Sequence, residues 1–228
     1  MYSVSCRRLC KTFQQGELAV HALADVDLDI DAGGFVCLFG PSGSGKTTLL
    51  NMIGGLDTPS SGEITVAGQR IDQMKRAELA RLRLKHLGFV FQSYNLIPVL
   101  SARENVEFVA QMQGMGAQQR KHKALTILAE VGLQGLEDRR PSELSGGQQQ
   151  RVAVARAIVS GPELVLADEP TANLDSATAE ILMKLFVQLN QQHQTTFVLS
   201  THDNLIMNYA RRLIKLRDGR IVEDIDQT

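Results

Sequence analysis

The chain has 228 residues, of which 43% are hydrophobic, and its formal net charge is −1. This length predicts one to two domains, and the apolar content is ample for a packed core. A near-neutral charge argues against a nucleic-acid-binding protein, which usually has a basic excess.

The three cysteines, Cys6, Cys10 and Cys37, form no C-x-x-C pair, and no further Cys or His near Cys6 and Cys10 completes a metal site. This usage is typical of a reducing, cytoplasmic compartment. The N-terminus lacks the apolar segment of a signal peptide, and no stretch approaches the ~18 apolar residues of a membrane span. We therefore expect any membrane role to depend on a partner protein.

The N-terminal part of the chain is predicted to be rich in strands. Residues 4–13 and 19–30 are partly alternating apolar segments, and Glu63–Ile71 predicts two small strands around Gly68. Antiparallel pairing is expected here. A turn at Asp31–Gly34 precedes a buried strand, Phe35–Phe39.

The stretch Gly40–Thr47, here called the phosphate loop, fits G-x-x-x-x-G-K-[ST] between that strand and a helix start. Its glycines let the backbone approach phosphate oxygens, and its amides and the helix dipole favour an anion. Lys46 is expected to reach the β- and γ-phosphates, and the Thr47 hydroxyl to ligate Mg²⁺. The predicted ATP-binding residues of this stretch are Gly40, Pro41, Ser42, Gly43, Ser44, Gly45, Lys46, Thr47 and Thr48.

The middle of the chain changes from strand to helix. Residues 78–85 are predicted to be helical, and Gly88–Phe91 is a second buried strand ending at Gln92. Beyond it, apolar residues recur at helical spacing and β-branched runs disappear. We expect a single domain in which a helical subdomain, residues 93–140, is inserted into a nucleotide-binding core formed by residues 1–92 and 141–228.

A second glycine-rich stretch, Leu144–Gln148, has the sequence LSGGQ and precedes a helix-like run, Gln149–Ser160. Glycines before a helix N-terminus again suit an anion, but this LSGGQ stretch has no lysine. The chain thus has two loops of the phosphate type about a hundred residues apart, only one of which contains a lysine, and this suggests a shared site. Each nucleotide would then be held by the phosphate loop of one chain and the LSGGQ stretch of another.

The C-terminal part predicts two more buried strands, Leu164–Ala167 and Thr195–Ser200, and a hairpin, Leu213–Val222, about Asp218-Gly219. Between those strands, Ser176–Asn190 has the spacing of an amphipathic helix. Its predicted apolar face consists of Ile181, Leu182, Leu185, Phe186 and Leu189.

Polar groups follow each of the four continuous apolar strands: the phosphate loop, Gln92, Asp168-Glu169 and His202. Such strands separated by helices predict an α/β fold with a parallel sheet covered on both faces, whose ligands bind at the carboxyl ends of the strands.

Each of these strand-end residues suggests a role in hydrolysis. Asp168 is expected to hold Mg²⁺, Glu169 to polarise the attacking water as general base, and Gln92 to contact both. His202 is expected to stabilise charge on the phosphoryl oxygens. Glu169 could instead be a helix-start or loop carboxylate, and Gln92 and His202 ordinary surface residues.

These motifs, in this order and with Ala172–Asp175, resemble the ATP-binding cassette (ABC) transporter family over residues 4–222. The resemblance implies a P-loop NTPase core with a mostly parallel sheet, an N-terminal antiparallel β subdomain and an α-helical insert. It also implies an ATPase that uses Mg²⁺ and pairs head to tail with a second copy around two ATP. By resemblance, the LSGGQ stretch contacts the nucleotide of the partner chain through Ser145, Gly146, Gly147 and Gln148.

The same resemblance implies that Asp175 links the two sites and that Phe13 stacks on adenine. Without it, Phe13 would be interpreted as a core residue. The run Gly88–Pro98 is similar to the lipoprotein-releasing, macrolide-export and cell-division branch of the family.

That branch implies a cassette at the cytoplasmic face of the inner membrane, coupled to integral permease subunits and touching the membrane only through them. No nucleic acid is expected as a partner. The candidate docking residues are Tyr94, Leu96, Ile97, Val99 and Leu100, which could equally be the core of the insert.

Three other functions stay open at this point. A cassette could drive a mechanical change in a membrane partner without moving a solute. Soluble ABC ATPases of DNA repair or translation would be expected to have a long coiled-coil insert or two cassettes in one chain. A plain P-loop kinase would not need the LSGGQ stretch.

Overall fold

The computed structural model describes residues 1–16 and 18–227. In chain order the elements are β1 (Tyr2–Gln15), β2 (Leu18–Asp31), β3 (Phe35–Phe39), α1 (Lys46–Ile53), β4 (Ser61–Val66), β5 (Gln69–Arg70), α2 (Arg76–His86), β6 (Leu87–Phe91), α3 (Ala102–Met112), α4 (Ala117–Glu130), a 3₁₀ turn (Pro141–Glu143), α5 (Gly146–Ile158), β7 (Leu164–Asp168), α6 (Ser176–His193), β8 (Thr196–Thr201), α7 (Asn204–Met207), β9 (Arg212–Arg217) and β10 (Arg220–Asp226).

The N-terminal sheet has the order β2-β1-β4-β5 and is antiparallel, which confirms the expected pairing. Its first two strands are longer than predicted, at 14 residues each, because register shifts let them bend and continue. One shift matters for the site: Lys11 pairs with Leu23, whereas Thr12 pairs with His21. Ala22 is therefore an extra residue on β2, which is a β-bulge.

The larger sheet has the order β10-β9-β3-β8-β7-β6. All its neighbours pair in parallel except β9 and β10, which form the predicted C-terminal hairpin. Side chains of β3 alternate between two buried clusters, with Phe35 and Cys37 on one face and Val36 and Leu38 on the other. Both faces are covered, as the continuous apolar strands predict.

The helical insert packs on α5. Ser101 caps α3, its hydroxyl accepting from the Glu104 amide, and α3 and α4 bury Val106 and Leu128 in the same cluster as Val152 of α5. Residues 93–101 are irregular rather than helical. The subdomain boundaries at residues 93 and 140 stay a prediction.

Two helix predictions need correction. α5 begins at Gly146, so the glycines of the LSGGQ stretch form the first turn of the helix instead of preceding it. On α6, Ile181 is 57% exposed, whereas Leu182, Leu185, Phe186 and Leu189 are buried. The buried stripe also includes Met183 and Asn190, so it centres on residues 182–186 and leaves Ile181 at its solvent edge.

Within residues 1–16 and 18–227, no helix combines the length and the apolarity that a bilayer crossing needs.

Candidate active site

A pocket of about 560 Å³ opens at the carboxyl ends of the parallel strands. Its walls come from the phosphate loop and the start of α1 (Ser42–Thr48), from the strand ends (Gln92, Glu169, Ala172, His202) and from β2 (Val20, His21, Ala22). The structure thus brings together residues from all four predicted strand ends. The position agrees with the rule for ligands in open α/β sheets.

The phosphate loop is shaped by glycines in the left-handed region. Gly43 has φ 78° and Gly45 has φ 104°. A Cβ on Gly45 would lie 2.6 Å from the Ala22 carbonyl oxygen, so only glycine fits this close approach to β2.

Lys46 is buried, and its Nζ donates to the carbonyl oxygens of Gly40 (2.8 Å) and Pro41 (3.1 Å). Within the described part of the chain, no carboxylate forms an ion pair with it. A buried ammonium facing a glycine-rich loop without a carboxylate partner fits an anionic ligand.

Asp168 and Thr47 form the candidate magnesium position. Thr47 Oγ1 donates to Asp168 Oδ1 at 3.0 Å, and Ser200 Oγ donates to the same oxygen. Hydroxyl and carboxylate oxygens are the hard ligands that Mg²⁺ takes, together with phosphate oxygens and water. Among the described residues, no three His, Cys, Asp or Glu side chains gather into an all-protein metal cluster, so the residues present fit a metal shared with a phosphate ligand.

Glu169 follows β7 with a left-handed backbone, φ 46°, and its side chain lines the pocket. The Ser200 carbonyl and hydroxyl oxygens accept from the Glu169 amide at 3.2 and 3.0 Å. Its Oε1 lies 3.0 Å from Nδ1 of His202, which is largely exposed. The next helix begins only at Ser176, so Glu169 is not a helix-start carboxylate.

The LSGGQ stretch lies outside this pocket. Ser145 Oγ accepts from the Gln148 amide at 3.3 Å, while Gln148 Oε1 accepts from the Ser145 amide at 2.9 Å. This reciprocal capping box fixes the start of α5. A Cβ on Gly146 would lie 2.9 Å from Tyr94 Oη, and one on Gly147 would collide with Thr178 Cγ2.

Phe13 is 38% exposed, so its interpretation as a core residue is wrong. Lys11 Nζ lies 4.8 Å from the Phe13 ring centroid and is held by Asp57 and by the Thr58 carbonyl. Phe13 itself does not line the pocket, but its partner across the β1–β2 ladder, Val20, does.

Asp175 is the N-cap of α6. Its carboxylate accepts from the Thr178 amide (2.9 Å) and hydroxyl (2.7 Å). These hydrogen bonds, the side-chain one first, lower the pKa of the exposed Asp175 carboxyl. The structure therefore gives Asp175 a local capping role.

The candidate docking residues differ in burial. Leu96 packs partly against the core, whereas Val99 is 73% exposed. Tyr94 and Asn95 have left-handed backbones, and Arg156 of α5 donates to both of their carbonyl oxygens. The segment is thus held to α5 without being buried as a core.

Two of the three cysteine thiols, those of Cys6 and Cys37, are buried. Burial raises the pKa of Cys37 to about 12, and the charge of Glu169 adds to the rise. Burial likewise raises the pKa of Cys6 to about 12. Both thiols stay protonated at neutral pH, which excludes them as nucleophiles.

Sequence reasoning missed several residues that shape the site. Ser200 contacts both Asp168 and the Glu169 amide, and a serine ending an apolar strand was a usable signal. Gln150 is buried in α5 and donates to the Pro170 carbonyl at 2.7 Å, next to Glu169. The Gly219 amide donates to the Ser44 carbonyl at 3.1 Å, so the C-terminal hairpin braces the phosphate loop.

Comparison with known proteins agrees with this geometry. The ABC transporter family profile matches residues 23–172. A macrolide export ATP-binding/permease protein, MacB, from Burkholderia pseudomallei (strain 1710b) is 48% identical over 217 residues, or 95% of this chain and 33% of the relative. MacB of Sodalis glossinidius is 44% identical over 99% of this chain and 35% of its own length. The chain therefore spans about a third of the length of the curated relatives it matches.

Solved structures match over most of their length. The ATP-binding cassette MJ0796, as a post-hydrolysis dimer bound to ADP and Pi, superposes with a TM-score of 0.91 at 41% identity, covering 98% of each chain. CbiO1 from Clostridium perfringens, part of the ABC transporter complex cbiONQ, superposes with a TM-score of 0.89 at 29% identity, covering 99% of this chain and 88% of that one.

Proposed function

The chain belongs to the ABC transporter family and is an ATPase cassette, and we propose that it pairs head to tail with a second copy around two Mg·ATP to drive a membrane permease. One observation supports this most directly. Lys46, Glu169 and His202 line one pocket, while the LSGGQ stretch, the other anion-type element, lies outside it. A nucleotide site of this kind is complete only when the LSGGQ stretch of a second copy closes over the pocket.

Within the pocket, we assign binding to the amides of residues 42–48 and to the Lys46 ammonium. Thr47, Asp168 and Gln92 would hold Mg²⁺, which supplies charge neutralisation at the phosphates. Glu169 would accept a proton from the attacking water, and His202 would donate to the phosphoryl oxygens. The 3.0 Å contact between Glu169 and His202 supports their joint action.

The LSGGQ stretch would serve the nucleotide of the second copy. Ser145 Oγ already accepts from the Gln148 amide, which leaves its O–H to donate outward. The amides of Gly146 and Gly147 are in the first turn of α5, where helical amides have no intrahelical acceptor. These donors and the helix dipole suit a γ-phosphate.

A groove between α2, β6 and α3 supports docking of the permease. It has a volume of about 450 Å³, and its walls include Phe89, Asn95, Val109 and Arg156. Exposed apolar side chains include Leu56, which lines the groove, and Val99, Phe108 and Met112 of the insert. We propose that a cytoplasmic loop of an integral permease docks here, which places the cassette at the cytoplasmic face of the membrane.

Among transport classes we propose export of macrolides or peptides, or release of lipoproteins. The relatives named as macrolide export ATP-binding/permease proteins support this choice. The choice of cargo class rests on the relatives.

The chemistry is tested with Glu169→Gln. Turnover should fall by at least ~100-fold, because the general base is lost, while ATP binding persists. Light scattering after gel filtration in Mg·ATP should show a dimer. Lys46→Ala, as the matched control, should weaken ATP binding and give no dimer. Hydrolysis by Glu169→Gln at the parent rate would show that another group activates water.

The partner is tested by pull-down of tagged Glu169→Gln in Mg·ATP from detergent-solubilised membranes, with mass spectrometry of the captured proteins. A stoichiometric partner with several membrane spans, absent with Lys46→Ala, is expected. Its extracytoplasmic domain would separate lipoprotein release and drug export from a purely mechanical role. Recovery of soluble proteins or nucleic acid alone would contradict the permease assignment and leave the ATPase chemistry intact.

A further inference from the structure

The β2 wall of the pocket has an unusual local geometry. Consecutive side chains of a regular strand point to opposite faces, yet Val20, His21 and Ala22 all line the pocket. The bulge at Ala22 explains this, because an extra residue redirects the side chains on either side of it. His21 is thereby turned towards the same space as the phosphate loop.

The His21 ring is held at one nitrogen only. Its Nδ1 lies 3.0 Å from Thr12 Oγ1, the residue opposite it in the β1–β2 ladder. Nε2 makes no hydrogen bond with any residue that the structure describes, and the side chain is exposed. The ring thus has a fixed orientation and one nitrogen available to a ligand.

The order of contacts along β2 matches the order of groups in a nucleotide. Ala22 marks the phosphate end, since its carbonyl abuts Gly45 of the phosphate loop. Val20 pairs with Phe13, the proposed adenine-stacking ring, and marks the base end. These two residues are two positions apart, which spans at most about 7 Å along a strand. His21 lies between them, at the level of the ribose.

The chemistry of Nε2 also favours a hydroxyl. If Thr12 donates to Nδ1, Nε2 has the proton and is a donor; in the other tautomer Nε2 is an acceptor. A ribose hydroxyl both donates and accepts, so it satisfies either tautomer, whereas a phosphate oxygen satisfies only the donor.

We propose that His21 Nε2 hydrogen-bonds one ribose hydroxyl of the bound nucleotide, so that the pocket prefers ATP to the analogue that lacks this hydroxyl. This inference rests on the proposed ATP binding and on the stacking position of Phe13. It assigns recognition of the sugar to a residue outside the phosphate loop, the LSGGQ stretch and the strand ends.

The test measures equilibrium binding of ATP, 2′-deoxy-ATP and 3′-deoxy-ATP to the full chain and to His21→Ala. One hydrogen bond corresponds to about threefold to tenfold in affinity. The parent chain should bind ATP threefold to tenfold tighter than whichever of the two analogues lacks the hydroxyl that His21 contacts. His21→Ala should lose the same factor for ATP and show no discrimination between ATP and that analogue.

Two control variants sharpen the result. Thr12→Val keeps the ring but removes its anchor, so discrimination should be reduced and not abolished. His122→Ala changes an exposed histidine of α4 outside the pocket and should bind like the parent chain. The melting temperature of each variant reports whether it is folded.

Equal loss of all three nucleotides in His21→Ala, or no loss, would overturn the assignment to ribose while leaving ATP binding intact. Failure of the parent chain to bind any of the three nucleotides would overturn the proposed function and this inference together.

Discussion

The phosphate loop and the LSGGQ stretch both place glycines at a helix N-terminus, but the glycines serve different physical purposes. In the phosphate loop, Gly43 and Gly45 have positive φ, so the backbone conformation itself requires glycine. In the LSGGQ stretch, Gly146 and Gly147 are helical, and their missing Cβ atoms make room for Tyr94 and Thr178.

The two regions also differ in completeness. The phosphate loop has a buried lysine, a neighbouring hydroxyl–carboxylate pair and a brace from Gly219, all from the same chain. The LSGGQ stretch is held by its own capping box, lies close to Tyr94 and Thr178, and does not line the pocket formed by the phosphate loop. We therefore expect the phosphate loop to bind nucleotide mainly with groups of one chain, and the LSGGQ stretch to contact a ligand only when a second surface closes over it.

The largest expected effect is that of Gly45→Ala on ATP binding. The new Cβ would meet the Ala22 carbonyl at 2.6 Å in a backbone with φ 104°, so the loop must change shape. We expect at least ~100-fold weaker ATP binding by calorimetry, from strain and displaced amides together. Gly43 also has a positive φ, but nothing lies within 4 Å of a Cβ added there, so Gly43→Ala should weaken ATP binding less than Gly45→Ala does. Equal losses would show that strain, not the clash with β2, is decisive.

Gly147→Ala should have an intermediate effect, which consists of a loss of stability and a loss of ATP-dependent dimerisation. The collision with Thr178 should lower the free energy of unfolding by about 1 to 2 kcal/mol, as overpacking does. Adding Thr178→Ser removes the colliding methyl and keeps the hydroxyl that donates to Asp175.

We expect the double variant to recover its melting temperature but not ATP-dependent dimerisation, because a Cβ remains on the surface proposed to meet the partner's phosphate. Recovery of both would mean that Gly147 is needed only for clearance within its own chain.

The smallest expected effect concerns Asp175, the cap of α6 beside the LSGGQ stretch. Its pKa is lowered in the folded state, so the unfolded chain binds the proton more tightly. The carboxylate therefore stabilises the fold above the unfolded pKa of ~3.9, and this stabilisation is lost as pH falls through the lower folded pKa.

Asp175→Asn keeps an oxygen for the cap and does not titrate. Between about pH 6 and pH 3, the melting temperature of the parent chain should fall slightly further than that of Asp175→Asn. The difference between the two falls should be no more than about 2 °C. Parallel curves would show that the cap does not depend on the charge.

Local sequence patterns predicted the fold class, the four strand ends and both glycine stretches. Each of these is encoded within a few neighbouring residues: continuous apolar runs for buried strands, and glycine spacing with one lysine for the phosphate loop. The helix starts were less accurate. The Gln149–Ser160 prediction began three residues late, because helix-breaking glycines hid a start that the Ser145–Gln148 capping box fixes.

The distant residues that complete the site could be identified only from the packing of the folded chain. His21 faces the pocket because of a bulge whose register depends on β1, and Gly219 supports the phosphate loop from the far end of the chain. Gln150 reaches the Pro170 carbonyl next to Glu169 from α5, and Ser200 reaches the Asp168 carboxylate and the Glu169 amide from the neighbouring strand β8. The physical reason is common to all four: each role depends on a close approach between segments far apart in sequence, and packing, not local propensity, sets such approaches.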